Sequence, residues 1–276
     1  MSAARPEGST SPSVVVTGAS SGIGQATARL FAGRGFRVFG TSRRERADDD
    51  GIEMLELDVR SDASVERCAA ELVRRAGVPD VLVNNAGVEH LAVAEETTLD
   101  EARAVFETNF FGVVRMTNAL LPAMRARARG RIINIGSLAA WVGEPGEAFY
   151  SASKHALAGY TEALRHELWP LGIHVSIVEP GAFRTGIVES GSVTEGRFAD
   201  YDEVRRAAEH TLRESARRGG DPRRVAAAVV RAALARTPKL RYVAGADGYL
   251  VPYLKVLLPQ RLFDVLLRRG FGLRKR

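Results

Sequence analysis

The sequence predicts a doubly wound α/β domain, a parallel β-sheet with helices packed on both faces. Three observations lead there. Short apolar runs alternate with segments of helical periodicity along most of the 276 residues. Runs such as SVVV and DVLV are apolar on successive residues, as strands covered on both sides must be. A glycine-rich turn stands between the first such run and the first helical segment, where α/β folds of this kind bind ligands.

In chain order, Ser13–Thr17 reads as a strand and Ile23–Arg34 as a helix. Arg37–Thr41 and Ile52–Val59 are strand-like, and Ser61–Ala76 has helical spacing after a Ser/Asp start. Asp80–Val83 is a short strand. Leu99–Arg127 is a long amphipathic helix that Pro122 is expected to bend or break. Arg131–Ile135 is a strand, and Ala148–Trp169 a helix stopped by Pro170. His174–Val178 is the next strand, Pro222–Arg236 a helix opening on proline, and Leu240–Val243 the last strand. The Gly/Ser/Thr-rich loop from Phe183 to about Asp200 is a candidate lid over a cleft at the strand ends. The domain is expected over residues 13–245, with a loose polar tail before it (1–12) and an apolar, basic extension after it (246–276).

Composition narrows the function. At 45% hydrophobic and 26% charged residues the chain is ordinary for a soluble globular protein. The lone cysteine, Cys68, excludes an internal disulfide and a multi-cysteine zinc site. His90, His155, His166, His174 and His210 form no ligand pairing, so no metal is expected. Residues 255–276 hold seven basic residues against Asp264 alone and account for the whole net charge of +6. The main domain is therefore formally neutral, which speaks against nucleic acid as a partner. The N-terminus lacks the apolar stretch of a signal peptide, and no stretch is long and apolar enough for a membrane span. A cytoplasmic protein is the expectation.

TGASSGIG, Thr17–Gly24, follows the first strand and opens the first helix. Glycines at 18, 22 and 24 permit a tight turn, close backbone approach and close helix–strand packing. The helix N-terminus then offers free N–H groups to a phosphate. The spacing is not the commoner G-x-G-x-x-G, but its position favours a dinucleotide. At the end of the second strand an acid would accept bonds from the ribose of NAD, whereas arginine would pair with the phosphate of NADP. Thr41-Ser42-Arg43-Arg44 has no acid at that point, so NADP(H) is expected over NAD(H), with Arg43 the contact.

YSASK places Tyr150 and Lys154 four apart, on one face of a helix. A cation there would favour the phenolate and bring the phenol toward acid/base work near neutrality. Tyr and Lys four apart also occur often on plain helix surfaces, so the motif alone leaves both readings open.

Taken as an ordered set, TGASSGIG, the NNAG of Asn84–Gly87, Ser137 and YSASK resemble the short-chain dehydrogenase/reductase family over roughly residues 13–245. That resemblance implies a Rossmann-type fold and an oxidoreductase that moves a hydride between a nicotinamide and a carbonyl or secondary alcohol. It implies that Tyr150 is the general acid, or the base in reverse. It also implies that Lys154 lowers the tyrosine pKa and holds the ribose, that Ser137 bonds the substrate oxygen, and that Asn109 steadies a water in the proton relay. Gly18, Ser20, Ser21, Gly22, Ile23 and Gly24 would face the cofactor, with Asp58 and Val59 near adenine. Asn85, Ala86 and Gly87 would lie beside the cofactor. Pro180, Gly181 and Thr185 would meet the carboxamide. A homo-oligomer is common in the family, through helices such as 99–127 and 148–169. A catalytically silent NADP-binding regulatory or scaffold protein is the alternative, and the complete Ser–Tyr–Lys set argues against it.

Residues 246–276 depart from the family pattern. Their leucines and phenylalanine recur near helical spacing, interrupted by Pro252 and Pro259, with arginines around them. They could cap the substrate cleft, or lie on an anionic membrane as a peripheral contact. The pocket should involve Ser137, Leu138, Val142, Phe149, Tyr150 and Phe183, a largely apolar set. Arg43 together with the apolar tail resembles the steroid- and retinol-dehydrogenase-like branch. The expected substrate is hydrophobic: steroid-, retinoid-, lipid- or polyketide-like.

Overall fold

The computed structural model describes residues 11–187, 191–194 and 197–273. The chain runs β1 (Ser13–Val16), α1 (Gly22–Ala32), β2 (Arg37–Ser42), β3 (Ile52–Glu56), α2 (Asp62–Ala76), β4 (Val81–Asn84), β5 (His90–Leu91) and α3 (Leu99–Phe106). It continues with α4 (Gly112–Ala126), β6 (Gly130–Ile135), α5 (Ala148–Leu168), β7 (Ile173–Pro180), β8 (Ser192–Val193) and α6 (Asp202–Arg218). It closes with α7 (Arg223–Leu234), β9 (Arg241–Ala244), α8 (Ala246–Leu257) and α9 (Gln260–Gly270). The main sheet is parallel throughout, in the order β3-β2-β1-β4-β6-β7-β9. This is the doubly wound Rossmann-type fold.

Strand periodicity explains the two layers. Successive side chains on β1 point to opposite faces. Val14 and Val16 join a core with Phe31 of α1 and Val225 and Val229 of α7. Val15 joins the other core, with Leu72 of α2, Met116 and Leu120 of α4 and Leu164 of α5. All of β1 is buried, so every residue must be apolar or small.

The order of strands reverses at β1. The chain moves outward through β2 and β3, then returns to β4 on the other side. A crevice opens at that switch point, beyond the carboxyl ends of β1 and β4. The TGASSGIG turn and the NNAG turn both lie there. Thr17 ties them together: its hydroxyl accepts hydrogen bonds from the backbone N–H of Asn85 (2.9 Å) and Ala86 (3.0 Å).

The helix expected over Leu99–Arg127 is interrupted, but not at Pro122. That proline lies inside α4, on its exposed side, between Leu120 and Met124, which are fully buried and hold the helix on course. The break comes earlier, at a π-helical turn over Glu107–Phe111 that joins α3 to α4. Helix α6 is an element not assigned from sequence. The Phe183–Asp200 loop carries β8, which pairs in parallel with β5. Part of that loop, residues 188–190, 195 and 196, lies outside the described residues, as do 1–10 of the N-terminal tail and 274–276 of the extension.

Pro252 is accommodated within α8, whereas Pro259 separates α8 from α9 as expected. Phe263 and Phe271 are buried, and Phe271 packs with Leu91, Ala208 and Leu212. Much of α8 is bare: Val256 and Leu257 are 74% and 75% exposed, and Tyr253 and Leu250 are also exposed, as are Leu262, Val265 and Leu266 of α9. Among the described residues no helix is long and apolar enough to cross a membrane.

Candidate active site

A cleft of about 530 Å³ runs from the glycine turn to the underside of α9. One end is built by backbone. Gly18 and Gly22 have φ of +65° and +55°, the left-handed region that glycine enters freely. A Cβ on Gly22 would meet the Thr185 carbonyl at 3.0 Å, and one on Gly24 would stand 2.2 Å from the Gly18 carbonyl oxygen. Ser21, the N-cap of α1, makes no side-chain cap bond. The first-turn N–H groups of α1 are thus uncapped at the cleft and suit a phosphate.

Gly18, Ser20, Ser21, Gly22, Ile23, Asn85, Ala86 and Gly87 all line this end, with Pro180, Gly181 and Thr185 opposite. Gly24 does not line it; it is the packing glycine behind the turn. Arg43, Asp58 and Val59 line the far corner, and Arg44 does not. Hydrogen bonds from Arg60 hold the Asp58 carboxyl below its ordinary range.

The chemical centre follows. Ser137 ends the segment after β6 and caps a short 3-10 turn, its hydroxyl accepting from the Ala139 N–H at 3.1 Å. That leaves its proton to donate. Tyr150 and Lys154 occupy the first turns of α5. Ser137 is within hydrogen-bond reach of the Tyr150 phenol. Lys154 Nζ donates to the Ile135 carbonyl at 3.0 Å and lies 5.6 Å from the Tyr150 ring centroid. Both are buried.

Electrostatics here differ from the expectation for Lys154. Burial pushes the Tyr150 phenol well above its ordinary value, and the charges of Glu89, Glu147 and Glu144 push the same way. Lys154 does not offset them; burial lowers its own ammonium to about 8. Within the protein's own groups the phenol is therefore raised, because desolvation and nearby carboxylates outweigh an ammonium turned toward a backbone carbonyl.

Asn109 lies in the π-helical turn, buried and outside the cleft lining. Its amide oxygen accepts from the Val88 N–H (2.8 Å), and its amide nitrogen donates to the Val88 carbonyl (2.9 Å) and Ser153 hydroxyl (3.1 Å). The side chain thus clamps the chain just after NNAG.

Leu138, Val142 and Phe183 line the substrate end; Phe149 does not. Sequence reading missed Thr211, Leu212, Ser215 and Ala216 of α6 at that end; Val251, Leu267 and Phe271 also line it and belong to the extension, for which a cap over the cleft was one of the two expectations. It also missed Glu89, Glu144 and Glu147. Glu147 stands one helical turn before Tyr150, and that spacing was a usable signal. Among the described residues no group of three or more His, Cys, Asp or Glu is placed to hold a metal ion.

The family model for short chain dehydrogenase matches residues 12–195. The chain belongs to the short-chain dehydrogenase family. A 3-ketodihydrosphingosine reductase of Bacteroides thetaiotaomicron is 36% identical, over 95% of this chain and 98% of the relative. A dehydrogenase/reductase SDR family member 7B of Danio rerio is 33% identical over 93% and 85%. A crystal structure of a short-chain dehydrogenase from Streptomyces avermitilis superposes with a TM-score of 0.80 at 36% identity, covering 97% of this chain and all of the other. A serine dehydrogenase in complex with NADP+ (TM-score 0.72, 27% identity, 84% of this chain and 93% of the other) shares the fold. So does a short-chain dehydrogenase/reductase from Burkholderia phymatum with NAD (TM-score 0.78, 25% identity, 93% and 95%). The family is one of oxidoreductases that use a nicotinamide dinucleotide, and the uncapped turn of α1 with its glycine cradle fits that group.

Proposed function

We propose that this dehydrogenase reduces the carbonyl of a hydrophobic substrate, with NADP(H) as cofactor. One observation carries the reading: a buried Tyr150 phenol, held protonated, faces a cleft with a phosphate-type turn at one end and an apolar roof at the other. When bound, the cofactor supplies the hydride. The protein's part is to hold the carbonyl oxygen between the Ser137 hydroxyl and the Tyr150 phenol, which gives it a proton as the hydride reaches carbon. A phenol raised by burial stays protonated at neutral pH, so it enters the reaction in the form that donates a proton, which supports reduction as the direction. Gly18–Gly24, Asp58–Val59, Asn85–Gly87, Lys154 and the Pro180–Thr185 segment are assigned to the cofactor. Leu138, Val142 and Phe183 are assigned to the substrate.

Arg43 supports NADP(H). It lines the corner where a ribose phosphate would lie, and no acid stands at the end of β2. The relative from Bacteroides thetaiotaomicron is by its name a reductase of 3-ketodihydrosphingosine, which supports a lipid-like ketone as substrate. The bare faces of α8 and α9 are where a membrane surface would supply such a molecule, and the long helices α4 and α5 are where a second copy would pair. The place of action is taken to be the cytoplasm.

The test is NADPH oxidation with long-chain ketones, NADH run in parallel. The expected result is turnover with NADPH, a preference lost in Arg43→Ala. Tyr150→Phe is expected to lower kcat by about a thousandfold, within the usual range for a general acid. Tight NADPH binding without turnover on any carbonyl would leave the silent scaffold as the reading.

A further inference from the structure

We propose that Glu89 and Glu147 form a carboxyl pair that receives the protonated amine of the substrate, so that the preferred substrate is an amino ketone with its nitrogen beside the carbonyl. This rests on the reductase reading of the same cleft.

Four glutamates are buried among the described residues: Glu89 (5% exposed), Glu96 (1%), Glu147 (4%) and Glu179 (1%). Two have a cation. Glu96 pairs with Arg205 at 2.8 Å, and Glu179 with Arg241. The other two have none: no arginine, lysine or histidine among the described residues lies within ion-pair distance of Glu89 or Glu147. These are the two that line the cleft with Ser137 and Tyr150. A buried carboxylate without a counter-charge is costly, and the fold keeps two together. Glu147 bonds to Glu89 side chain to side chain, and burial followed by that neighbour raises its carboxyl well above the usual range. With no cation at hand, it is Glu147 that keeps its proton more readily than an ordinary carboxyl.

The pair is built rather than incidental. Asn109 clamps Val88 on both backbone atoms, fixing the residue before Glu89. The Glu89 carbonyl accepts from the Ser192 N–H at 3.1 Å. The Gly146 carbonyl accepts from the Ala92 N–H at 2.8 Å, which ties the segment of Glu147 to that of Glu89. Glu144 lines the same wall, and Lys154 feels the Glu89 charge but gives its hydrogen bond to the Ile135 carbonyl. Glu147 is the N-cap of α5, three residues ahead of Tyr150, so a carbonyl oxygen at the phenol places its α-nitrogen toward the pair. An ammonium arriving there releases the Glu147 proton to solvent and gains two charge-assisted hydrogen bonds in a low-dielectric wall. The amine is unchanged by the reaction: hydride adds to the carbonyl carbon, the Tyr150 proton to its oxygen.

The test compares kcat/KM with NADPH for a long-chain α-amino ketone, the same ketone without nitrogen, and the N-acetyl derivative. The wild type is expected to prefer the amino ketone by about tenfold or more, the size of one charge-assisted hydrogen bond, and to lose that preference on acetylation. In Glu147→Gln and Glu89→Gln/Glu147→Gln the ratio of amino to plain ketone is expected to collapse toward one. Glutamine mimics the protonated carboxyl, so folding, checked by NADPH binding, should persist. If the plain ketone is reduced as well as the amino ketone, or both fall together in the variants, the acids serve the phenol and the proposal is overturned while the reductase reading stands. If NADPH binds and no ketone of any kind is reduced, both readings fall.

Discussion

At the glycine turn the cleft is walled by backbone; under α6 and α9 it is walled by side chains. The first wall has no slack. A Cβ on Gly24 would meet three atoms of Gly18 and Asn85 inside 3.0 Å. The second wall is assembled from Leu212, Leu267 and Phe271, residues on separate elements whose shapes could be traded for others of like volume. A dinucleotide is the same molecule in every turnover, so its end of the cleft tolerates rigid construction. A substrate end made of exchangeable side chains can be retuned without disturbing the turn.

Substitutions at each wall sharpen that contrast. Gly24→Ala should have the largest effect, about 3 kcal/mol or more of lost stability, because the Gly18 backbone and the Asn85 amide, which is hydrogen-bonded to the Thr17 and Gly18 carbonyls, leave no room for a methyl. Chemical denaturation with and without NADPH reads it; a variant as stable as wild type that still binds NADPH would break the comparison. Phe271→Ala should cost less, about 2 kcal/mol, below the range for a fully enclosed phenylalanine. Its KM for long-chain ketones should rise while NADPH affinity holds, so equal losses in both would show that the roof and the turn are not independent.

The smallest effect is a matter of sign. The Glu147 carboxyl is raised in the folded state, so the fold binds a proton that the unfolded chain releases. Its contribution is full at low pH and is lost as pH rises through the folded value. Glu147→Gln removes that loss. The Tm of the variant minus that of wild type should therefore grow more positive from about pH 5 to about pH 8. A flat difference would mean that the carboxyl pair holds no extra proton.

What was legible in the sequence was local. TGASSGIG and YSASK are short motifs whose chemistry depends on residues within one turn of each other, and the alternation of apolar runs with helical segments was enough for the parallel sheet. What was hidden depends on topology. Glu89 and Glu147 meet only because the segment after β4 runs beside the N-terminus of α5. Asn109 reads as one more polar helix residue until the π-helical turn carries it inward. Pro122 was over-read: a proline on the exposed side of a helix pinned by Leu120 and Met124 need not break it. The rise of the Tyr150 phenol was hidden for the same reason as the acids, since YSASK shows the cation and not the carboxylates across the cleft.

The small β5–β8 sheet has a consequence for how a substrate arrives. Ser192 and Thr194 donate backbone hydrogen bonds to Glu89 and Leu91, and the Ser192 hydroxyl meets the His90 ring at 2.7 Å. Swinging this flank outward would break those bonds and drag on Glu89, the residue just before β5. The helical flank has no such stitching: the described side chains of α9 that face the cleft meet α6 through apolar contact alone, which slides at little cost. For the substrate proposed above, the doorway therefore belongs between α6 and α9, where apolar side chains slide apart more cheaply than hydrogen-bonded strands separate.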